Sequence, residues 1–148
     1  MNKPEMRPNE KRIIAVDYGM ARIGLAISDP TQTIATPLPT IQSSGNPKKA
    51  AEMLILTLKN YTFVEVVVGL PLKLSGTDSE STTLVRTFIE ELKLLLTVPV
   101  IPFDERLTTV QADRALREGQ LTRKSRAQKV DRATATLLLT NYLELKKR

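Results

Sequence analysis

The sequence predicts an α/β sandwich built on a mixed β-sheet, with its elements in the order β-β-β-α-β-α-β-α. Three observations carry this. Residues 13–28 hold two short apolar, β-branched segments separated by a small-residue turn, the spacing of a hairpin. Residues 63–69 are almost wholly apolar, as suits a central strand covered on both faces. Apolar residues then recur at helical spacing over 47–60, 77–96 and 127–145, so that later strands alternate with helices.

The first strand runs from Ile13 to Val16 and is broken at its end by Asp17, with Gly19 two residues on. Gly19 lets the backbone turn sharply and leaves space for a ligand to approach. The second strand spans Arg22 to Ser28. Ile34 to Ile41 contains Pro37 and Pro39, which confines it to a sheet edge. Asn46-Pro47 supplies an N-cap and a proline at the first helical position, and that helix runs to about Asn60, burying Ala50, Leu54 and Leu58. After the central strand, Gly69-Leu70-Pro71 ends the extended run, and a loop with Lys73, Ser75 and Gly76 follows. Thr77 or Asp78 caps a helix to about Leu96, with Leu84, Val85, Phe88, Leu92, Leu95 and Leu96 as its apolar stripe. Val98 to Phe103 is the last strand. A helix opening at Thr108 or Thr109 closes at Gly119, and a final helix runs from about Ala127 to Leu145 with Val130, Ala133, Leu137, Leu138 and Tyr142 inward. Residues 1–11, polar with two prolines, read as a flexible tail, and residues 12–148 as one domain.

Composition removes several chemistries. There is no cysteine and no histidine among the 148 residues. Disulfides, thiolate sites, histidine bases and histidine-ligated zinc are therefore excluded, and a catalytic site must use carboxylates, hydroxyls, Lys or Arg. No apolar run approaches the ~18 residues that a membrane span needs. The formal charge is +6 with a pI near 9.7, which favours a polyanionic partner. Most of that excess sits in residues 117–132, where Arg117, Arg123, Lys124, Arg126, Lys129 and Arg132 face only Glu118 and Asp131.

Three acids occupy comparable places: Asp17 at the end of the first strand, Glu105 just past the last strand and Asp131 early in the final helix. Ligands bind beyond the carboxyl ends of parallel strands in such folds. Asp131 joins the other two if its helix packs across the sheet, and Asp131, Thr134, Ala135 and Leu138 share one helical face. Converging carboxylates repel one another unless divalent cations intervene, and oxygen-only ligation suits Mg²⁺ or Mn²⁺. Two such ions about 4 Å apart activate a water and stabilise the leaving oxygen of a phosphodiester. The candidate catalytic and metal-binding residues are thus Asp17, Glu105 and Asp131. The candidate nucleic-acid contacts are Arg22, Lys73, Arg106, Arg123, Lys124, Arg126 and Lys129. Each residue also has a plainer reading. Asp17 could be a turn former, Glu105 the partner of Arg106 in a surface ion pair, Asp131 a solvated helix residue, and the basic run a solvated face.

Four motifs in order bring a resemblance. They are Asp17-x-Gly19-x-x-Arg22-Ile23-Gly24-Leu25-Ala26, then Val67-Val68-Gly69-Leu70-Pro71 with Gly76-Thr77, then Asp104-Glu105-Arg106-Leu107-Thr108-Thr109, and finally Lys129-Val130-Asp131-x-Ala133. Together they resemble the YqgF (RuvX) family over about residues 12–145. The resemblance implies a ribonuclease-H-like fold and a cytoplasmic bacterial nuclease that matures the 5′ end of the small-subunit ribosomal RNA precursor. It implies structured RNA as the first choice of partner, ribosomal precursor particles beside it, and no membrane. Older assignments make the family Holliday-junction resolvases acting on branched DNA, by analogy with RuvC enzymes. RuvC-like enzymes place an acid at the end of the central strand, where this chain has Gly69-Leu70-Pro71, so Glu105 would supply that ligand from the neighbouring strand.

Two other functions fit parts of the pattern. Asp-x-Gly followed by a hairpin also cradles phosphates in the actin and sugar-kinase folds, but those enclose a nucleotide between two such domains. A non-catalytic module binding ribosomal RNA or a ribosome-assembly partner needs the basic run without the acids.

Overall fold

The structure, a computed structural model, describes residues 11–104 and 123–147, with 123–133 described by backbone alone. Five strands form one sheet in the order β3-β2-β1-β4-β5. They are β1 (Ile13–Tyr18), β2 (Arg22–Ser28), β3 (Ala35–Gln42), β4 (Glu65–Leu70) and β5 (Val100–Asp104). The helices are α1 (Pro47–Leu58), α2 (Glu80–Leu95) and α3 (Arg123–Lys146). β1, β4 and β5 are parallel, and β2 pairs antiparallel with both β1 and β3. The mixed sheet and the predicted element order are both present.

Alternation along the central strands divides the interior in two. Ile14, Val16, Tyr18, Val66, Val68 and Val100 face α1 and α2, in a core with Leu54, Phe88 and Leu92. Ile13, Ala15, Ala26 and Val67 face the other way, against Ala135, Leu138, Leu139 and Leu143 of α3. The second layer is built from smaller residues, which lets α3 lie close to the sheet. The proline-containing β3 is at the edge, as expected, where the missing N–H groups interrupt no inner ladder. Asn46 caps α1, its side chain accepting from the N–H groups of Lys48 and Lys49 at 3.0 and 3.2 Å.

Several details differ from the sequence reading. Ser79, not Thr77 or Asp78, caps α2: its hydroxyl accepts from Thr82 N–H, and the Thr82 hydroxyl accepts from Ser79 N–H at 2.9 Å. Asp78 instead closes the preceding loop as the bridge partner of Leu72 and accepts a two-pronged contact from Arg86 at 2.8 and 3.0 Å. Along α2, Val85, Phe88, Ile89 and Leu92 are buried, whereas Leu95 is 46% exposed and lies outside the stripe. The last helix begins at Arg123 rather than Ala127, so Arg123, Lys124 and Arg126 are helical residues, not a preceding loop. From Thr134 onward its buried positions are Thr134, Ala135, Leu138, Leu139 and Leu143, with Leu137 only half-buried. The tail before Lys11 and the helix expected between Thr108 and Gly119 lie outside the described residues. No helix among the described residues is long and apolar enough to cross a membrane.

Tyr18 carries a stability cost that can be measured. Its ring stacks on Phe88 with centroids 4.4 Å apart, yet its hydroxyl is buried without a hydrogen-bond partner. Burial pushes the phenol above its ordinary pKa, and the nearby Ser43 hydroxyl, which makes no well-formed hydrogen bond to it, offsets this only in part. Tyr18→Phe keeps the ring and removes the unmet group, so Tm should rise by about 2–4 °C, on the order of 1 kcal/mol at this chain length. A lower Tm in a thermal scan would mean that the hydroxyl is held by a partner after all.

Candidate active site

Asp17 is the penultimate residue of β1, at the edge where the parallel strands β1, β4 and β5 all end. It is half-buried. It belongs to the strand face of Ile13 and Ala15, so its carboxylate lies on the α3 side of the sheet while Tyr18 turns to the α2 side. Directly across β2 from Asp17 is Gly24, and β4 reaches Gly69 one residue past the pair of Val16 with Val68. Both glycines are buried, and neither places a side chain between Asp17 and whatever packs above it. Sequence reasoning took Gly69 as part of a strand terminator and gave Gly24 no role. Only the pairing register brings them to Asp17.

The turn after Asp17 is fixed by a close approach. Gly19 N–H donates to the Arg22 carbonyl at 3.0 Å, and a Cβ on Gly19 would come within 2.7 Å of that oxygen. Glycine here serves the contact between the two hairpin arms, and no left-handed backbone is involved. Arg22, exposed at the start of β2, falls by alternation on the same face as Gly24 and Asp17. Lys73 is exposed in the loop after β4, at the same edge. That loop is tightened by Lys73 N–H donating to the Thr77 carbonyl at 2.9 Å and by Gly76 with φ of 86°. Asp17, Arg22 and Lys73 therefore share one rim of the sheet.

Glu105 and Arg106 lie outside the described residues, as do the side chains of Arg123, Lys124, Arg126, Lys129 and Asp131. Their backbone positions in α3 are described. Positions 123, 126 and 129 recur at three-residue spacing along one side of the helix, whereas position 131 precedes Thr134, Ala135 and Leu138 by three, four and seven residues, on the stripe that is buried against the sheet. Among the described residues no group of three or more acids is close enough to hold a metal ion.

The far end of α3 is fixed by a carboxylate that sequence reasoning missed. Glu65 opens β4 within a run that reads as apolar, and it is buried. The Tyr142 hydroxyl donates to its Oε1, and Lys146 Nζ lies 2.9 Å from its Oε2. Tyr142 also meets Phe103 of β5 edge to face, with centroids 5.9 Å apart, and Lys146 Nζ sits 5.6 Å from the Tyr142 ring centre. Burial, and secondly the Glu65 carboxylate, hold the Tyr142 phenol well above its ordinary pKa. The last turns of α3 thus end over the edge where β4 begins. The earlier turns run back across the sheet.

The RuvX family profile, described as Holliday junction resolvase, matches residues 11–145. The chain belongs to the RuvX family. A relative from Protochlamydia amoebophila is 40% identical over 95% of this chain and 97% of its own length. Another from Koribacter versatilis is 43% identical over 90% of this chain and 86% of its own. Both carry the name "Putative pre-16S rRNA nuclease". Among solved structures, Thermus thermophilus RuvC in complex with a Holliday junction substrate superposes with a TM-score of 0.55 at 15% identity, covering 93% of this chain and 96% of that one. The large terminase nuclease of phage G20c gives 0.54 at 15% identity, covering 93% and 84%. These two likenesses establish the ribonuclease-H-like fold. With the family comes the class of reaction, a nuclease that hydrolyses phosphodiester bonds.

Proposed function

We propose that this RuvX protein is a divalent-metal-dependent nuclease that processes the 5′ end of the small-subunit ribosomal RNA precursor. In this reading Asp17, Glu105 and Asp131 are its metal ligands. The observation that carries the reading is the placement of Asp17, half-buried at the carboxyl edge of the parallel strands and turned towards α3. Position 131 lies on the stripe of α3 that packs on that face, three turns or about 16 Å before Tyr142. Asp17 lies about 13 Å along β1 from Ile13, which pairs with the Glu65 that Tyr142 contacts. The two lengths agree well enough for α3 to carry its acid towards the Asp17 edge. Along β5, Phe103 packs with the α3 layer and Val100 with the opposite core.

A set of carboxylates without histidine or thiolate suits a hard cation, Mg²⁺ or Mn²⁺. Such ions supply an activated water and neutralise charge on the phosphate that is cleaved. The chain's own groups hold and orient the substrate: Arg22 and Lys73 on the rim, Arg106 beside Glu105, and Arg123, Lys124, Arg126 and Lys129 on α3. The two prices of this design are like-charge repulsion before the cation binds and partial burial of Asp17.

The decisive assay incubates the protein with a 5′-extended precursor RNA and with a four-way DNA junction, each with Mg²⁺ or Mn²⁺, and maps product ends. Cleavage at the precursor's 5′ boundary is the expected result. Symmetrical nicking of the junction with the RNA intact would instead favour the resolvase reading, which the family's own description supports. The α3 cations have a separate test. Replacing Arg123, Lys124 and Arg126 with Ala should weaken binding to all sequences alike and lower the log–log salt slope by about 2–3 units. An unchanged slope would make those residues an ordinary solvated helix end.

A further inference from the structure

On the reading of the substrate as RNA, but without use of the three acids, we propose that the hollow between the first hairpin turn and the start of α2 is a base pocket. It receives the carbonyl edge of one unstacked pyrimidine of the RNA strand. Met20 in the turn, Pro71 after β4, and Ser81, Leu84 and Val85 of α2 wall a cavity of about 70 Å³. Tyr18, only 7% exposed, belongs to the same wall. Its hydroxyl is the one buried side-chain polar atom among the described residues without a hydrogen-bond partner. Apolar walls with a few polar groups are the usual composition of a binding pocket. An unmet buried hydroxyl costs stability that an acceptor on a ligand would recover. The ring carbonyls of uracil and cytosine are such acceptors, and proteins read unstacked RNA bases by hydrogen bonds to their edges. A cavity of about 150 Å³ accommodates a whole benzene ring. The hollow here is about half that size, so it takes the edge of a six-membered ring and excludes a fused purine.

The walls are set before any ligand arrives. The Tyr18 ring is stacked on Phe88 with centroids 4.4 Å apart, and Gly19 N–H holds the turn through the Arg22 carbonyl at 3.0 Å. The Thr82 hydroxyl donates to the Pro71 carbonyl, which ties the loop after β4 to α2. Such preorganisation lowers the cost of binding. The place also suits a passing strand. Tyr18 follows Asp17 on β1, about 3.3 Å along, with its side chain on the opposite face. A phosphate held at Asp17 on the α3 side puts a flanking nucleotide within reach of the α2 side, across the hairpin turn. Ser81 also borders an open polar groove of about 600 Å³ that contains Lys73, a cation for the ribose phosphate beside the bound base. Of the two acids there, Asp78 is engaged by Arg86 at 2.8 Å and only Glu80 opposes an anion.

The test measures binding without cleavage. In excess chelator, the protein is titrated with hexauridylate, hexaadenylate and an abasic ribose-phosphate hexamer of equal charge, and the methyl NMR signals of Met20, Leu84 and Val85 are followed. Hexauridylate should move these signals saturably and bind about 10-fold more tightly than the abasic chain. Hexaadenylate and the abasic chain should leave the signals in place. Tyr18→Phe should weaken hexauridylate binding by about 3–10-fold, leave abasic binding unchanged and still raise Tm, whereas a merely structural tyrosine would move the melt alone. Leu84→Trp, which fills the hollow, should remove the preference for uridylate; Tyr18→Phe, which keeps the ring, decides the matter if the larger substitution does not fold. Equal affinity for hexauridylate and the abasic chain, with the methyl signals unmoved, would overturn the proposal and leave the hollow to water. Equal shifts with hexaadenylate, or wild-type affinity for hexauridylate in Tyr18→Phe, would overturn it as well. Cleavage of the precursor at its 5′ boundary by a protein without base preference would sink the pocket alone. Selective hexauridylate binding without any cleavage in Mg²⁺ or Mn²⁺ would sink the nuclease reading alone.

Discussion

Asp17→Asn is expected to lower cleavage by more than about 100-fold while the fold persists. The substitution changes neither volume nor the β1 hydrogen bonds, which are made by backbone groups. It removes the negative charge that a divalent cation needs, and even groups one shell further out typically cost 10- to 100-fold. Asp17 is half-buried, and in the proposed site two further acids would add their negative charge beside it, so removing its charge relieves like-charge repulsion when no metal is bound. Stability without metal should therefore be unchanged or slightly higher in the variant. The two measurements point in opposite directions, which separates loss of chemistry from loss of fold. Wild-type turnover by a pure, folded Asp17→Asn sample would end the metal-site reading.

Which parts of this could be read from sequence follows from the range of the interactions involved. β1, β2 and β4 are legible because burial imposes apolar, β-branched runs on them, and Asp17 is legible because a carboxylate interrupts such a run at a strand end. The cap of α2 is not, because Thr77, Asp78 and Ser79 are all good capping types. Asp78 is taken by the loop bridge and by Arg86, and Ser79 is left to cap. The start of α3 is hidden for a similar reason: Arg123, Lys124, Ser125 and Arg126 carry no apolar period, and their helix is visible only in the backbone. Glu65 is the plainest omission. Nothing within the Phe63–Leu70 run distinguishes a carboxylate that will be buried from one at a solvated strand end, since its partner Tyr142 stands 77 residues away. Asp131 is an intermediate case. Helical spacing places it with Ala135 and Leu138, but the choice of that stripe over Val130, Ala133 and Leu137 needed the observed burial of Thr134, Ala135 and Leu138.

The cation itself should be visible without any nucleic acid. If Asp17, Glu105 and Asp131 share one cleft as proposed, their carboxylates repel one another in the folded protein more than in the unfolded chain, so a divalent cation binds the folded form preferentially. Linkage then predicts that Mg²⁺ or Mn²⁺ at about 100 times its Kd stabilises the wild-type protein by about 2.7 kcal/mol, which at this length raises Tm by about 5–10 °C. Asp17→Asn should lose most of that shift. In cleavage assays, excess chelator should abolish turnover and Mg²⁺ or Mn²⁺ should restore it. Ca²⁺ should produce a thermal shift but little turnover, because its larger and looser coordination shell holds the attacking water poorly against the phosphate. The Ca²⁺ arm is the most informative, since it separates filling of the site from the geometry that cleavage requires. Full turnover in chelator, or a thermal shift equal in wild type and Asp17→Asn, would show that the carboxylates at this edge do not hold the ion.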